Sequence, residues 1–359
     1  PSSIHRYGRL AHKAIEKARK QIASLINADP SEILITSGGT ESNNTALNGV
    51  VMKKPSSQII TSQIEHDAIL EPCKKLSQNG FDVHYVSVDK FGLIDISELK
   101  NHLSENTSIV SIMFGNNEVG TIQPIFEIIK LCHANNTLFH TDAVQAVGKI
   151  PIDVKELGID LLSISSHKLY GPKGIGALYI KNGVDIDPVI LGGGQESGLR
   201  SGTENVANIV GFGKACEIAK NNLSQNLIHM EKLQNSLIKK IHDTIPKVTL
   251  NGHPQLRLPN NVHFTFLGVN GEDLIIKLDE YGIAASTGSA CSVNTQKASH
   301  VLQSMGFSLE QITGSLRLTL GIFNDEKEIE QTVETLKKTV QELRAVSPFK
   351  EKYSFTFEN

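Results

Sequence analysis

Ile159-Asp160-Leu161-Leu162-Ser163-Ile164 runs without a break into Ser165-Ser166-His167-Lys168-Leu169-Tyr170-Gly171-Pro172-Lys173-Gly174. The first six residues read as a buried strand, and the following ten are small, polar and cationic. A lysine directly after a buried strand is poorly explained as a solvated surface charge. Lysine loses its proton more readily when desolvated or placed near other cations, and the free amine then condenses with an aldehyde. A carboxylate suited to the ring nitrogen of such a cofactor stands upstream, in His140-Thr141-Asp142-Ala143-Val144-Gln145.

Outward from this stretch, residues 30–181 alternate short β-branched runs with amphipathic ones. The strand pattern falls on 33–36, 58–62, 82–88, 108–114, 137–140, 161–165 and 176–180, and the helix pattern on 43–52, 68–79, 96–102 and 125–134. This alternation predicts an α/β fold: a mostly parallel seven-stranded sheet sandwiched by helices. In such folds ligands sit beyond the carboxyl ends of the strands. Gly38-Gly39-Thr40, Glu65-His66, Asn116-Asn117, Asp142 and His167-Lys168 all fall at such ends, which predicts one shared pocket. A long polar helix is expected over 214–245. Beyond it the pattern becomes α+β, with strands at 248–250, 261–265 and 316–320 and helices at 274–281 and 326–345. A domain boundary is placed near Asn222, giving a large domain over 1–222 and a smaller α+β domain over 223–359.

Composition narrows the function classes. The 359 residues carry a net charge of -3, with 39% hydrophobic and 20% charged residues, as in an ordinary soluble globular protein. No basic block offers a footprint for nucleic acid or an anionic membrane. No run reaches the roughly 20 apolar residues of a membrane-spanning helix, and no secretory signal is evident. The four cysteines, Cys73, Cys132, Cys216 and Cys291, form no CxxC pair, so neither a zinc site nor a disulfide framework is expected. The first three lie in helix-like segments and read as core thiols, consistent with a reducing compartment. A further N-terminal segment is expected ahead of Pro1.

Each polar motif also has a plainer reading. Ser37-Gly38-Gly39-Thr40-Glu41-Ser42-Asn43 lies between a strand and a helix, where free N–H groups bind phosphate; the alternative is a turn with a helix cap. His66 can lie on a ring and shuttle protons near neutral pH, or be a satisfied structural histidine. Asp142 can serve a ring nitrogen and Gln145 a ring hydroxyl, or Asp142 can cap a helix. Cys291 differs from the other thiols: Ser286-Thr287-Gly288-Ser289-Ala290-Cys291-Ser292-Val293-Asn294 has no packing periodicity. It reads as a mobile loop carrying a thiol, the alternative being an incidental exposed cysteine.

Together, His-Thr-Asp-Ala-Val-Gln at 140–145, the Lys168 segment, Gly192-Gly193-Gly194-Gln195-Glu196 with Leu199-Arg200-Ser201-Gly202-Thr203, and the Cys291 segment resemble the cysteine desulfurases of the NifS and IscS type. These belong to the class V aminotransferase superfamily of fold type I enzymes that use pyridoxal 5'-phosphate (PLP). The resemblance covers essentially the whole chain. It implies that Lys168 forms the Schiff base, Asp142 pairs with the pyridinium, Gln145 contacts the ring hydroxyl, and His66 stacks on the ring and moves protons. It implies that Gly39, Thr40, Ser165 and His167 hold the phosphate, with Thr203 reaching it from a partner subunit. Asn117 and Arg317, the latter in Gly314-Ser315-Leu316-Arg317-Leu318, match positions used for substrate, and a guanidinium suits the carboxylate of an amino acid. Cys291 matches the nucleophile.

The implied activity is conversion of L-cysteine to L-alanine, with sulfur taken up by Cys291 as a persulfide and passed to an acceptor, such as an iron–sulfur scaffold or a tRNA-thiolation partner. A cytoplasmic homodimer without nucleic-acid or membrane partners is expected. Selenocysteine lyase or another class V activity is one alternative. A non-catalytic PLP-fold scaffold is the other, if the N-terminal segment is truly absent.

Overall fold

The computed structural model describes residues 1, 3–288 and 298–348. They divide into two compact units: one comprises Pro1–Ser87, Ile94–Gly115 and Gln123–Leu223, and the other Val88–Leu93, Asn116–Ile122 and the chain from Ser224 onward.

The first unit alternates strands and helices in the order α1 (Arg6–Leu25), β1 (Ile33–Thr36), α2 (Gly39–Met52), β2 (Gln58–Ser62), α3 (Asp67–Gln78), β3 (Asp82–Val86), α4 (Ile96–His102), β4 (Thr107–Ser111), α5 (Ile125–Ala134), β5 (Leu138–Asp142), α6 (Val154–Leu157), β6 (Leu161–Ser165) and β7 (Gly176–Ile180). The seven strands form one sheet in the order β1-β7-β6-β5-β4-β2-β3. Pairing is parallel from β3 through β2, β4 and β5 to β6, and β7 runs antiparallel to both β6 and β1. This is the mostly parallel seven-stranded sheet expected from the alternation. Strands β1, β6 and β7 are buried along their full length, as strands covered on both faces are, and the few polar residues in them are small: Thr36, Ser163 and Ser165. One core cluster joins α2 (Leu47, Val50, Val51) and α3 (Ile69, Cys73, Leu76) to the sheet residues Leu34, Ile59, Ile109, Leu161 and Leu178. Each large aliphatic side chain taken from water there contributes roughly 1.5–3 kcal/mol.

α7 spans Val206–Thr244, eight residues earlier than the pattern placed its start. Gly211 and Gly213 interrupt the apolar periodicity in that first stretch. Gly213 is there for contact: a Cβ would stand 2.6 Å from the Cα of Ala18 in α1, so the two helices meet backbone to backbone.

The second unit contains a three-stranded antiparallel sheet, ordered β10-β9-β8, from β8 (Val248–Leu250), β9 (Asn261–Phe266) and β10 (Ser315–Thr319). Its helices are α8 (Gly271–Asp279), α9 (His300–Ser304), α10 (Leu309–Thr313) and α11 (Glu326–Ala345). The pattern did not predict α9 and α10, each five residues long, because one turn is too short to show a period. α11 starts in a capping box between Asp325 and Glu328 and buries Ile329, Val333, Leu336 and Val340, one stripe of a 3.6-residue period. That stripe packs with Phe264 and Phe266 of β9 and Leu274 and Leu278 of α8 in a core of its own.

Candidate functional site

The chemistry-bearing residues of the first unit gather where the parallel strands end. β5 ends on Asp142, which is 8% exposed. Its Oδ2 accepts a 2.7 Å hydrogen bond from Asn43 Nδ2 of α2, and its Oδ1 accepts from the backbone N–H of Val144 at 3.0 Å. The carboxylate is thus held from two sides. One residue pair back, His140 is fully buried, with Nδ1 2.8 Å from Ser111 Oγ on β4 and Nε2 3.0 Å from Ser163 Oγ on β6. Burial pushes its pKa down to about 3, so this histidine is a neutral strut between neighbouring strands.

β6 ends on Ser165 and leads into a single 3-10 turn, Ser166–Leu169, that carries His167 and Lys168. Ser165 Oγ lies 2.9 Å from His167 Nδ1. These two residues, with Ser37, Gly38, Gly39, Thr40, Glu41, Lys173 and Gly174, line a cavity of ≈ 340 Å³. α2 begins at Gly39, so the N–H groups of its first turn have no carbonyl four residues back to donate to. A side chain at Gly39 would strike Val144, whose Cγ2 would lie 2.8 Å from a Cβ. Free N–H groups at a helix start, hydroxyls and a lysine make a set that suits a phosphate dianion. Glu41, also on the lining, is turned to Arg200, whose Nε donates to it at 2.8 Å. Burial works against the charge on Glu41, but the bonds from Arg200 and Ser37 keep its carboxyl below the ordinary range.

Cations crowd this end of the sheet. Lys149 donates from Nζ to Gln145 O at 2.8 Å. Burial, and then the charge of Lys168, push its pKa down to about 7. His167 is held below its ordinary value, first by the burial it has and then by Lys168, Lys173 and Lys149. Lys168 itself is exposed in the described chain. The enclosed amine anticipated from the buried strand is not seen, because the 3-10 turn carries it past the end of β6. Gln145 is half-buried. His66 caps α3, its Nδ1 accepting from the Ala68 N–H at 3.0 Å, and is half-buried. Thr203 is exposed, in the loop ahead of α7.

The remaining predicted residues lie in the second unit. Arg317 on β10 donates from Nη1 to the backbone carbonyl of Asn117 at 2.7 Å, so these two residues are brought together. Cys291 lies outside the described residues. Cys73, Cys132 and Cys216 are fully buried, and burial pushes all three thiols up, Cys73 and Cys132 to about 12. None of them is poised as a thiolate at neutral pH.

The linear pattern gives no role to three residues of this region, although Glu65 falls in a strand-end motif. Asn43 ends the glycine motif, and its bond to Asp142 bridges elements far apart in sequence. Glu65 is fully buried, accepting from Ser62 Oγ at 2.7 Å and from the Met113 N–H at 2.9 Å. Its pKa is raised to about 8, chiefly by burial and further by Asp142. Lys149 carried no motif. Nothing in a linear pattern gives the roles of these three, since each depends on a contact made through the fold.

The groups that PLP needs are thus present: a cavity suited to phosphate, lined by the start of α2 and by Ser165 and His167 at the end of β6, and a fixed carboxylate at the end of the neighbouring strand β5. On the residue that holds this carboxylate, Asn43 Oδ1 is buried without a hydrogen-bond partner among the described residues. The chain belongs to the class-V aminotransferase family, described as "Aminotransferase class-V", whose profile matches residues 1–332; its cofactor is PLP. Within that family it is of the NifS/IscS cysteine desulfurase type. It is 47% identical over 355 residues to "Cysteine desulfurase IscS" of Dictyoglomus turgidum, covering 98% of this chain and 90% of that one. With the protein of the same name from Methanosarcina thermophila it shares 49% identity over 350 residues, covering 97% and 86%. Among solved structures, a NifS-like protein superposes with a TM-score of 0.89 at 41% identity, covering 95% of this chain and 91% of the other. The NifS-like protein of Rickettsia africae gives a TM-score of 0.85 at 36% identity, with coverages of 95% and 91%. Among the described residues no helix is long and apolar enough to cross a membrane.

Proposed function

We propose that this enzyme takes sulfur from L-cysteine, releases L-alanine and leaves the sulfur on Cys291 as a persulfide. The observation that carries the reading is the placement of a doubly hydrogen-bonded Asp142 and an anion cavity at the ends of adjacent parallel strands, with Lys168 just beyond. Bound PLP supplies an electron sink for the α-carbon of an amino acid. Asp142 keeps the ring nitrogen protonated, and Asn43 fixes the orientation of that carboxylate. Gly39, Thr40, Ser165 and His167 hold the phosphate, and Thr203 adds a contact from the second copy of a homodimer. Gln145 meets the ring hydroxyl and His66 the ring face. Lys168 anchors the cofactor and carries the α-proton. Arg317, with Asn117, receives the substrate carboxylate through a bidentate guanidinium.

The Cys291 thiolate attacks the sulfur of the substrate, whose Cβ–S bond breaks. The sulfur stays on Cys291 as –S–SH, and the former Cβ takes a proton to become the methyl of alanine. One thiol is consumed per alanine released, with no outside oxidant. The persulfide then passes to an acceptor protein, and an iron–sulfur scaffold in the cytoplasm is the partner we favour. The test is the purified PLP-bound protein with L-cysteine and dithiothreitol, with sulfide and alanine quantified together. Equal amounts support the reading; neither product from a protein still holding PLP refutes it.

A further inference from the structure

Away from this site, β3 forms the edge of the large sheet, and a cluster on that edge has no part in the reaction. His84 lies in β3, paired with Ile60 of β2. Glu98 and His102 stand four residues apart on α4, and so share one face of that helix. His84 Nε2 is 2.9 Å from Glu98 Oε1. The His84 and His102 rings stack with centroids 3.5 Å apart and planes 16° apart. One ligand atom from each residue falls in a group spanning no more than 4.8 Å.

We propose that His84, Glu98 and His102 form a binding site for a zinc-type divalent ion that ties α4 to the edge strand. Two imidazoles and one carboxylate are a donor set that zinc accepts, leaving a fourth position for water. Ligand bonds of about 2.1 Å place tetrahedral donors about 3.4 Å apart. His84 Nε2 and Glu98 Oε1 are already 2.9 Å apart, and the exposed His102 ring, now stacked on His84, is the ligand that has to turn toward them. The carboxylate is already supported from behind. Glu98 Oε2 accepts from the Ser87 N–H at 2.9 Å and from the Ser87 hydroxyl, the outer hydrogen bonding that orients a ligating carboxylate. The helix is held in place as well: Asp95 caps α4 through the N–H groups of Ser97 and Glu98, and Leu99 is fully buried. Two of the three ligands are only about a quarter exposed, at 24% and 26%, so the ion would sit against the protein with one side open to solvent.

The experiment is equilibrium dialysis of the PLP-bound protein against micromolar zinc chloride, comparing the native sequence with H84A/H102A and with Glu98→Gln. A control, H5A/H12A, removes two histidines elsewhere; thiols such as Cys291 remain in every sample. Circular dichroism and retained PLP colour confirm that each variant is folded. The expected result is about one zinc per chain more in the native and control proteins than in H84A/H102A, with E98Q weakened about tenfold or more. The native protein, but not H84A/H102A, should also melt higher when zinc is added. Equal zinc content in native and H84A/H102A proteins, or unchanged affinity in E98Q, overturns the proposal. So does a zinc-dependent rise in melting temperature that persists in the double variant.

Discussion

Glu65→Gln should make the protein more resistant to alkaline pH. Glu65 has no solvent exposure and its pKa is raised to about 8 from an ordinary 4.5. The cause is first the cost of placing a charge in the interior, and then the nearby Asp142, against which the bonds from Ser62 and Met113 only partly compensate. Between these two pH values the folded state keeps a proton that the unfolded chain has released. Stability from this group is therefore fully present below pH 4.5 and is lost as pH rises through 8. At 1.36 kcal/mol per tenfold change in proton affinity, the stability lost relative to low pH is about 1.4 kcal/mol at pH 5.5 and about 4.6 kcal/mol at pH 8.5. Glutamine is uncharged and of the same shape, and its Oε1 can still accept from the Ser62 hydroxyl and the Met113 N–H. The advantage of the variant should thus grow by about 3 kcal/mol between pH 5.5 and pH 8.5. Urea unfolding of both PLP-bound proteins at the two pH values would register this as a midpoint difference widening by about 1 M or more. Parallel pH profiles would refute the reasoning, because they would mean that Glu65 is as readily ionised in the folded chain as in the unfolded one.

Further outcomes follow from the same geometry. Asn43→Ala removes one of the two donors on Asp142; a hydrogen bond to a charged group is worth about 1.5–3 kcal/mol, so kcat/KM for L-cysteine should fall roughly tenfold to a hundredfold, and an unchanged value would count against Asp142 as the pyridinium partner. Lys168→Ala should lose the visible absorption of covalently held cofactor, and a native spectrum would exclude it as the anchor. Cys291→Ala should keep that colour and release no sulfide from L-cysteine; undiminished sulfide would remove it as the nucleophile. Lys149→Met should flatten the pH dependence of stability between about pH 7 and pH 10.5: with a folded value near 7, the unfolded lysine binds the extra proton across that interval, so native stability rises with pH there and the variant's should not. A native-like slope in its denaturation profile would show that Lys149 is not held neutral.

The linear sequence carried most of the architecture because strands β1, β2, β6 and β7 and helices α4, α5 and α11 are periodic or unbroken over their whole length. Their limits coincide with the patterned runs at 33–36, 58–62, 161–165, 176–180, 96–102, 125–134 and 326–345. Legibility failed where period was short or interrupted: in the single turns of α9 and α10, and in the glycine-bearing start of α7. The placement of polar motifs after strands was also legible, since a strand that must end at the sheet edge delivers whatever follows it to the same side of the fold. Asp142, Ser165 and the first turn of α2 could be foreseen as neighbours on that ground alone.

Tertiary structure alone decided the electrostatics. Asn43 reaches Asp142, Glu65 sits sealed near the same carboxylate, and Lys149 shares its surroundings with Lys168, each across a separation in sequence that no motif spans. It also decided that Asn117 stands with Arg317 in the second unit, and that His84, unremarkable in β3, meets a glutamate and a histidine from α4. Which groups a chain can offer, and at what spacing along each element, is local information written in residue order. What those groups do to one another depends on distance and on the water between them, and both are set only when the elements pack.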